Sequence, residues 1–81
     1  MKLIKFGAGW CHPCRKLQAV LDGMDVPYQC DQVDIDKDPA TAGKYGIRGI
    51  PTVMLVDDEG VEIKRFSGAK TQAQIQEWMD E

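Results

Sequence analysis

Cys11 and Cys14 stand three residues apart in the stretch Trp10-Cys11-His12-Pro13-Cys14, one short strand's length from the amino terminus of an 81-residue chain. Two cysteines at that spacing can be metal ligands, part of a structural disulfide framework, or a reversible redox couple. A structural zinc site takes four ligands, usually from two such pairs. This chain adds only Cys30 and a single histidine, His12, which lies inside the pair's own loop. A disulfide scaffold calls for an even cysteine count and an oxidising compartment. An inert buried pair is the bland reading, but thiols at a helix start are seldom inert. Reversible thiol–disulfide exchange, with no metal, is the chemistry that fits best.

The pair's surroundings explain how it would work. Cys11 falls where a loop ends and a helix begins, so the helix's free N–H groups and its dipole favour a thiolate there. Pro13 fits the first helical turn, where its missing N–H has no partner to lose. Cys14 shares a helical stripe with Leu17 and Leu21 and is expected to be the more buried sulfur. That asymmetry divides the labour: Cys11 attacks a substrate disulfide, and Cys14 then attacks Cys11 to release the reduced substrate. Trp10 shields the pair on one side and offers an apolar surface to a partner.

The elements that must position the pair follow from periodicity and turn chemistry. Residues 2–6 read as a first strand, and Gly7-Ala8-Gly9 as the turn after it. A helix runs from about His12, with Cys14, Leu17, Leu21 and Met24 on its apolar face, and Gly23 and Pro27 close it. Tyr28 to Ile35 reads as a second strand with Tyr28, Cys30 and Val33 inward. Asp38 caps a short helix to Tyr45, with Pro39 at its first position and Gly46 after its end. Thr52 to Val56 is a continuous apolar run, which suits a strand covered on both faces. Asp57-Asp58-Glu59-Gly60 turns the chain into a charged edge strand, Val61 to Phe66. Thr71 and Gln74 form a capping box for a last helix, whose inner stripe is Ile75, Trp78 and Met79. The order βαβαββα predicts a single α/β domain over residues 1–81. Its four-stranded mixed sheet joins a parallel first unit to an antiparallel terminal hairpin and carries helices on both faces.

Composition narrows the function classes. The chain is 43% hydrophobic and 28% charged, ordinary for a globular protein. A net charge of −3 with no basic stripe argues against nucleic-acid binding. No apolar run approaches the ~20 residues that span a bilayer. The first residues lack the apolar stretch of a signal peptide, so a cytoplasmic location is expected.

Trp10-Cys11-His12-Pro13-Cys14 resembles the Trp-Cys-Gly-Pro-Cys of thioredoxins. The stretch VDIDKDPATAGKYGIRGIPTVMLV, residues 33–56, resembles the family's segment through Gly-Ile-Pro-Thr, and Ser67-Gly68-Ala69 resembles the loop before its last helix. The resemblance covers the chain from residue 4 onward in the right order. It implies the thioredoxin fold and a cis peptide bond between Ile50 and Pro51, which leaves the Ile50 backbone free to pair with an extended substrate segment. Trp10, Ile50, Pro51, Gly68 and Ala69 would form the substrate groove. It also implies no bound cofactor and electrons from NADPH through a flavoenzyme of the thioredoxin reductase type. Disulfide-bearing client proteins follow, among which ribonucleotide reductase is a natural one. A monomer is expected.

Three departures from the family pattern bear on mechanism. The chain begins almost at the strand leading to the motif, a layout of glutaredoxin or mini-thioredoxin size. Lys5 stands five residues before Trp10, where the family places a buried acid, and Gln32 stands where a partner lysine is common. Lys5 reads either as a buried cation that stabilises the Cys14 thiolate, or as a side chain that snorkels to the surface with no role. His12 replaces the usual glycine. It reads as a tuner that stabilises the Cys11 thiolate and makes the couple more oxidising, or as an exposed imidazole with little effect. Cys30 reads as a small buried hydrophobe or a regulatory thiol. The run Asp31, Asp34, Asp36, Asp38 reads as a solvated rim.

Two rival functions remain open on the sequence. A glutathione-fed glutaredoxin-like reductase suits the size. Its family tends, however, to have Cys-Pro-Tyr-Cys, and Arg48 is the one basic candidate for a glutathione carboxylate. A non-catalytic binding module of the same fold is disfavoured by the intact Cys11 and Cys14.

Overall fold

The computed structural model describes residues 1–81. Seven elements follow in order: β1 (Lys2–Gly7), α1 (His12–Asp22), β2 (Gln29–Asp34), α2 (Pro39–Lys44), β3 (Thr52–Val56), β4 (Glu62–Ser67) and α3 (Gln72–Asp80). The sheet order is β2-β1-β3-β4. β1 runs parallel to β2 and antiparallel to β3, and β3 runs antiparallel to β4. This is the expected mixed sheet. β3 is buried along its whole length, as its continuous apolar run requires.

Strand alternation sends β1 and β3 side chains into two cores, one on each face. Leu3, Val53, Leu55 and, from β4, Phe66 meet Leu17 and Leu21 of α1 and Ile75, Trp78 and Met79 of α3. Ile4, Phe6, Met54 and Val56 face the other way, where Ala42, Tyr45, Ile47 and Ile50 cover them. Phe66 and Trp78 pack edge to face with ring centroids 5.0 Å apart. Thr71 and Gln74 form the capping box at α3, and Asp38 caps α2 by accepting from the Thr41 N–H at 3.2 Å. No helix is long and apolar enough to cross a membrane.

Four expectations need correction. β2 is one residue shorter at each end than the 28–35 reading, and β4 is displaced by one residue to 62–67. Cys30 is exposed rather than buried. Its strand is a sheet edge, flanked only by β1, where Cys30 pairs with Leu3. Tyr28 and Val33 belong to opposite faces and are each half-buried, so no single inward face of β2 exists.

Candidate active site

The end of β1, the start of α1 and the start of β3 meet at one end of the two central strands of the sheet. The Gly7–Trp10 turn is drawn tight by the Cys11 N–H, which donates to the Ala8 carbonyl at 3.1 Å, and by the Arg15 guanidinium, which donates to the Gly9 carbonyl at 2.8 Å. Cys11 is the N-cap of α1, extended at φ −87° and ψ 105°, and Pro13 lies in the first turn. The Cys11 Sγ accepts a hydrogen bond from the Cys14 backbone N–H at 3.2 Å. Cys11 and Cys14 are joined in a disulfide, with their Cα atoms 5.3 Å apart.

This geometry aims an orphan helix N–H and the positive end of the helix at the Cys11 sulfur. Negative charge that develops there is stabilised without any rearrangement, as the sequence implies. The expected difference in burial is not found: Cys11 is 4% exposed and Cys14 3%. With the two sulfurs bonded and the Cys11 Sγ on the Cys14 N–H, both residues are equally shielded in the oxidised protein. What distinguishes the two is position on the helix, cap against first turn.

β1 can pass close beneath the pair because residue 7 is a glycine. A Cβ at Gly7 would lie 3.2 Å from the Cys14 Sγ and 3.8 Å from the Lys5 Cε. Lys5 itself is buried, 6% exposed, which corrects the snorkelling reading. Its side chain leaves β1 on the α1 face, and its amine donates to Gln18 Oε1 at 2.7 Å and approaches the Cys14 carbonyl at 3.4 Å. No carboxylate is paired with it. Burial pushes the Lys5 amine below the ordinary lysine range, an effect that Cys30 and Asp22 partly offset. His12 is exposed and hydrogen-bonds neither sulfur.

The opposite wall is the segment before β3. The Ile50–Pro51 peptide is cis, and Pro51 is fully buried. Phe6 pairs with Thr52, and one further step of that register sets Pro51 opposite Gly7. Gly68, at φ 84°, donates its N–H to the Pro51 carbonyl at 2.9 Å, a backbone conformation that glycine adopts without strain. Ile50 is half-buried, and neither its N–H nor its C=O has a partner within the chain. Ala69 is exposed beside Gly68.

Three contributors are not legible as such in the sequence. Thr52 reads there only as a strand residue. It is 2% exposed, its hydroxyl donates to the Gly49 carbonyl at 2.7 Å, and it lies 3.1 Å from the Ser67 hydroxyl, so it fastens the 49–51 turn to the sheet. A lone hydroxyl opening an otherwise apolar buried strand is the available signal. Gln18 lies one helical turn beyond Cys14 and holds the Lys5 amine. Asp36 reads as part of a solvated rim, yet its carboxylate accepts from the Trp10 Nε1–H at 2.8 Å and fixes an indole that is 68% exposed.

Comparison with known proteins matches this arrangement throughout. The thioredoxin family model matches residues 1–81. Thioredoxin from Pseudomonas aeruginosa is 39% identical over 83 residues, spanning 96% of this chain and 75% of that protein. An SPbeta prophage-derived thioredoxin-like protein of Bacillus subtilis is 33% identical over 70 residues, spanning 86% of this chain and 85% of that one. Among solved structures, a single-site mutant of thioredoxin from Halobacterium salinarum superposes with a TM-score of 0.86 at 29% identity, covering 96% of this chain and 70% of that chain. Fasciola hepatica thioredoxin gives 0.84 at 31% identity, over 96% and 76%. With the redox pair at its helix start, the cis proline beside it and these relatives, the chain belongs to the thioredoxin family and is a thiol–disulfide oxidoreductase acting on protein disulfides.

Proposed function

We propose that Cys11 is the attacking and Cys14 the resolving cysteine. The observation that carries this reading is the seat of the Cys11 sulfur at the cap of α1, on the Cys14 N–H. In the reduced protein the Cys11 thiolate attacks one sulfur of a client disulfide, and the client's other sulfur leaves. Cys14 then attacks Cys11, the Cys11–Cys14 bond forms, and the client departs as a dithiol. Trp10, Ile50, Pro51, Gly68 and Ala69 form the docking groove. An extended client segment pairs with the free Ile50 N–H and C=O in the manner of an added strand. The electrons come from NADPH through a thioredoxin-reductase-type flavoenzyme, and the protein works as a cytoplasmic monomer without a bound cofactor. Ribonucleotide reductase is among its clients on this reading.

Alkylation tests the assignment. With the reduced protein at pH 6 and limiting iodoacetamide, Cys11 is modified first. Cys30 lags despite its exposure, because partial burial of its sulfur pushes that thiol up. Peptide mapping that found Cys14 or Cys30 modified ahead of Cys11 would overturn it.

Lys5, His12 and Pro13 set the potential of the couple. Pro13 fixes the backbone at the helix start. His12 lies in the first turn beside Cys11, and its imidazole adds to the field that favours the thiolate and hence the reduced form. His12→Gly is therefore expected to make the couple more reducing, by on the order of 10 to 20 mV for an exposed charge at a helix end. Equilibration against a glutathione redox buffer measures this, and an unchanged potential would remove His12 from the tuning set.

A further inference from the structure

Removing an ammonium group from water without an opposite charge is costly, and an anion close by offsets that cost. Lys5 is 6% exposed on the central strand β1, yet none of the chain's ion pairs includes it. Its two hydrogen-bond partners, Gln18 Oε1 at 2.7 Å and the Cys14 carbonyl at 3.4 Å, are neutral acceptors. An ammonium carries three N–H donors, so one is left without a partner in the chain. Asp22 and Cys30 act on the amine without pairing with it, and burial outweighs both.

Lys5 lines a cleft of roughly 300 Å³, a volume at the small end of the range for small-molecule sites. Arg15 brings a second cation to the lining, with one of its five N–H donors committed to the Gly9 carbonyl. The backbone N–H groups of Ala8 and Gly9, residues that also line the cleft, have no partner within the chain. Gln32, across from Lys5 in the β1–β2 register, forms part of the wall. Asp34 is the one carboxylate on the lining, and its Oδ1 accepts the Asp36 N–H at 2.9 Å. Two cations against one carboxylate leave the cleft with a net positive charge.

We propose that this cleft binds a small oxyanion, a carboxylate or phosphate group, at a site distinct from the client groove and coupled to the redox state of the pair. Lys5 and Arg15 supply the charge, and the Ala8 and Gly9 N–H groups supply neutral donors of the kind that hold oxyanions in turns. With Asp34 on the lining, a single acid group balances the site and a polyanion does not. Trp10, Ile50, Pro51, Gly68 and Ala69 take no part in the lining, so cleft and groove are separate surfaces. Cys14 is the link between the cleft and the chemistry, because it belongs to both the lining and the pair. An anion held there opposes the negative charge of a thiolate on either sulfur and is indifferent to the neutral disulfide. The oxidised protein therefore binds it more tightly than the reduced one. By reciprocity, the bound anion makes the couple more reducing by the same factor. None of this depends on which cysteine attacks.

Titration of the ¹⁵N-labelled oxidised protein with sodium phosphate at pH 7.5, with sodium chloride holding the ionic strength constant, tests the site. Saturable amide shifts centred on Ala8, Gly9, Arg15 and Gln32 are expected, with a midpoint at millimolar concentration. The reduced protein is expected to need about fivefold more phosphate, and the same factor should appear in its equilibrium with a dithiothreitol redox buffer. Sodium acetate in a parallel titration names the group. Saturation by phosphate alone assigns a phosphoryl ligand, and saturation by acetate a carboxylate one. Gln32→Glu sets a carboxylate across from Lys5 at an exposed edge position, away from the core, and should weaken binding about tenfold. Lys5→Met should abolish it. Absence of saturation by either salt in the wild-type protein overturns the proposal. So does an unchanged midpoint in Gln32→Glu or Lys5→Met, which would mean an ion held elsewhere. Equal midpoints for the oxidised and reduced proteins would overturn the coupling to the pair.

Discussion

Replacing Cys11 with serine is expected to abolish protein-disulfide reduction, with a loss of about 10⁴-fold or more, the scale seen when a covalent nucleophile is removed. A hydroxyl at the cap of α1 keeps the hydrogen bond from the Cys14 N–H but supplies no thiolate. Cys14 is a poor substitute, being 3% exposed and enclosed by β1 at Gly7. Cys14→Ser has a different signature. The first attack proceeds, the second cannot, and the protein accumulates as a mixed disulfide through Cys11. Reduction of a protein disulfide followed by turbidity, with intact-mass analysis of the Cys14→Ser reaction, checks both outcomes. Full biological function kept by a Cys11→Ser, Cys14→Ser double variant, which has no thiol pair to turn over, would restore the binding-module reading.

The second large effect is on stability. Leu17 is fully buried and joins α1, the helix that carries both cysteines, to Leu3, Val53 and Leu55 of the sheet and to α3. Leu17→Ala is expected to cost about 3 to 4 kcal/mol, within the range for a buried leucine that leaves a cavity. A domain of this size holds a total margin of only about 4 to 12 kcal/mol. The urea midpoint of the oxidised protein should fall steeply with little change in slope. The reduced protein should suffer as well, since the helix presenting the pair loses its main anchor. A loss below about 1 kcal/mol would mean that the core around α1 collapses to fill the space.

How much of this is legible in the sequence depends on what kind of signal each part carries. The β3 run and the Leu17–Leu21 and Ile75–Trp78–Met79 stripes are strong periodic patterns, and the structure places each where its period demands. The redox pair is legible because two residues at fixed spacing meet a helix start. The exposure of Cys30 is not, because a strand pattern says nothing of whether the strand ends up at a sheet edge. The equal burial of Cys11 and Cys14 escapes the sequence for a related reason. Helical periodicity places a Cα on a face, but the disulfide decides where the Cys11 sulfur lies. Lys5 is ambiguous because a lysine in an apolar strand can turn outward or inward. Only the fold shows Gln18 and the Cys14 carbonyl waiting for its amine. Asp36 and Trp10 are 26 residues apart, and nothing local links them.

Electron supply tests the account most directly. The oxidised protein is supplied either with NADPH and thioredoxin reductase or with glutathione and glutathione reductase, while reduction of a protein disulfide is followed. Rapid turnover with the first system and little with the second is the expected result, and identifies protein disulfides as substrates. Turnover with glutathione alone would contradict it and move the chain's function to glutathione-dependent chemistry on the same fold.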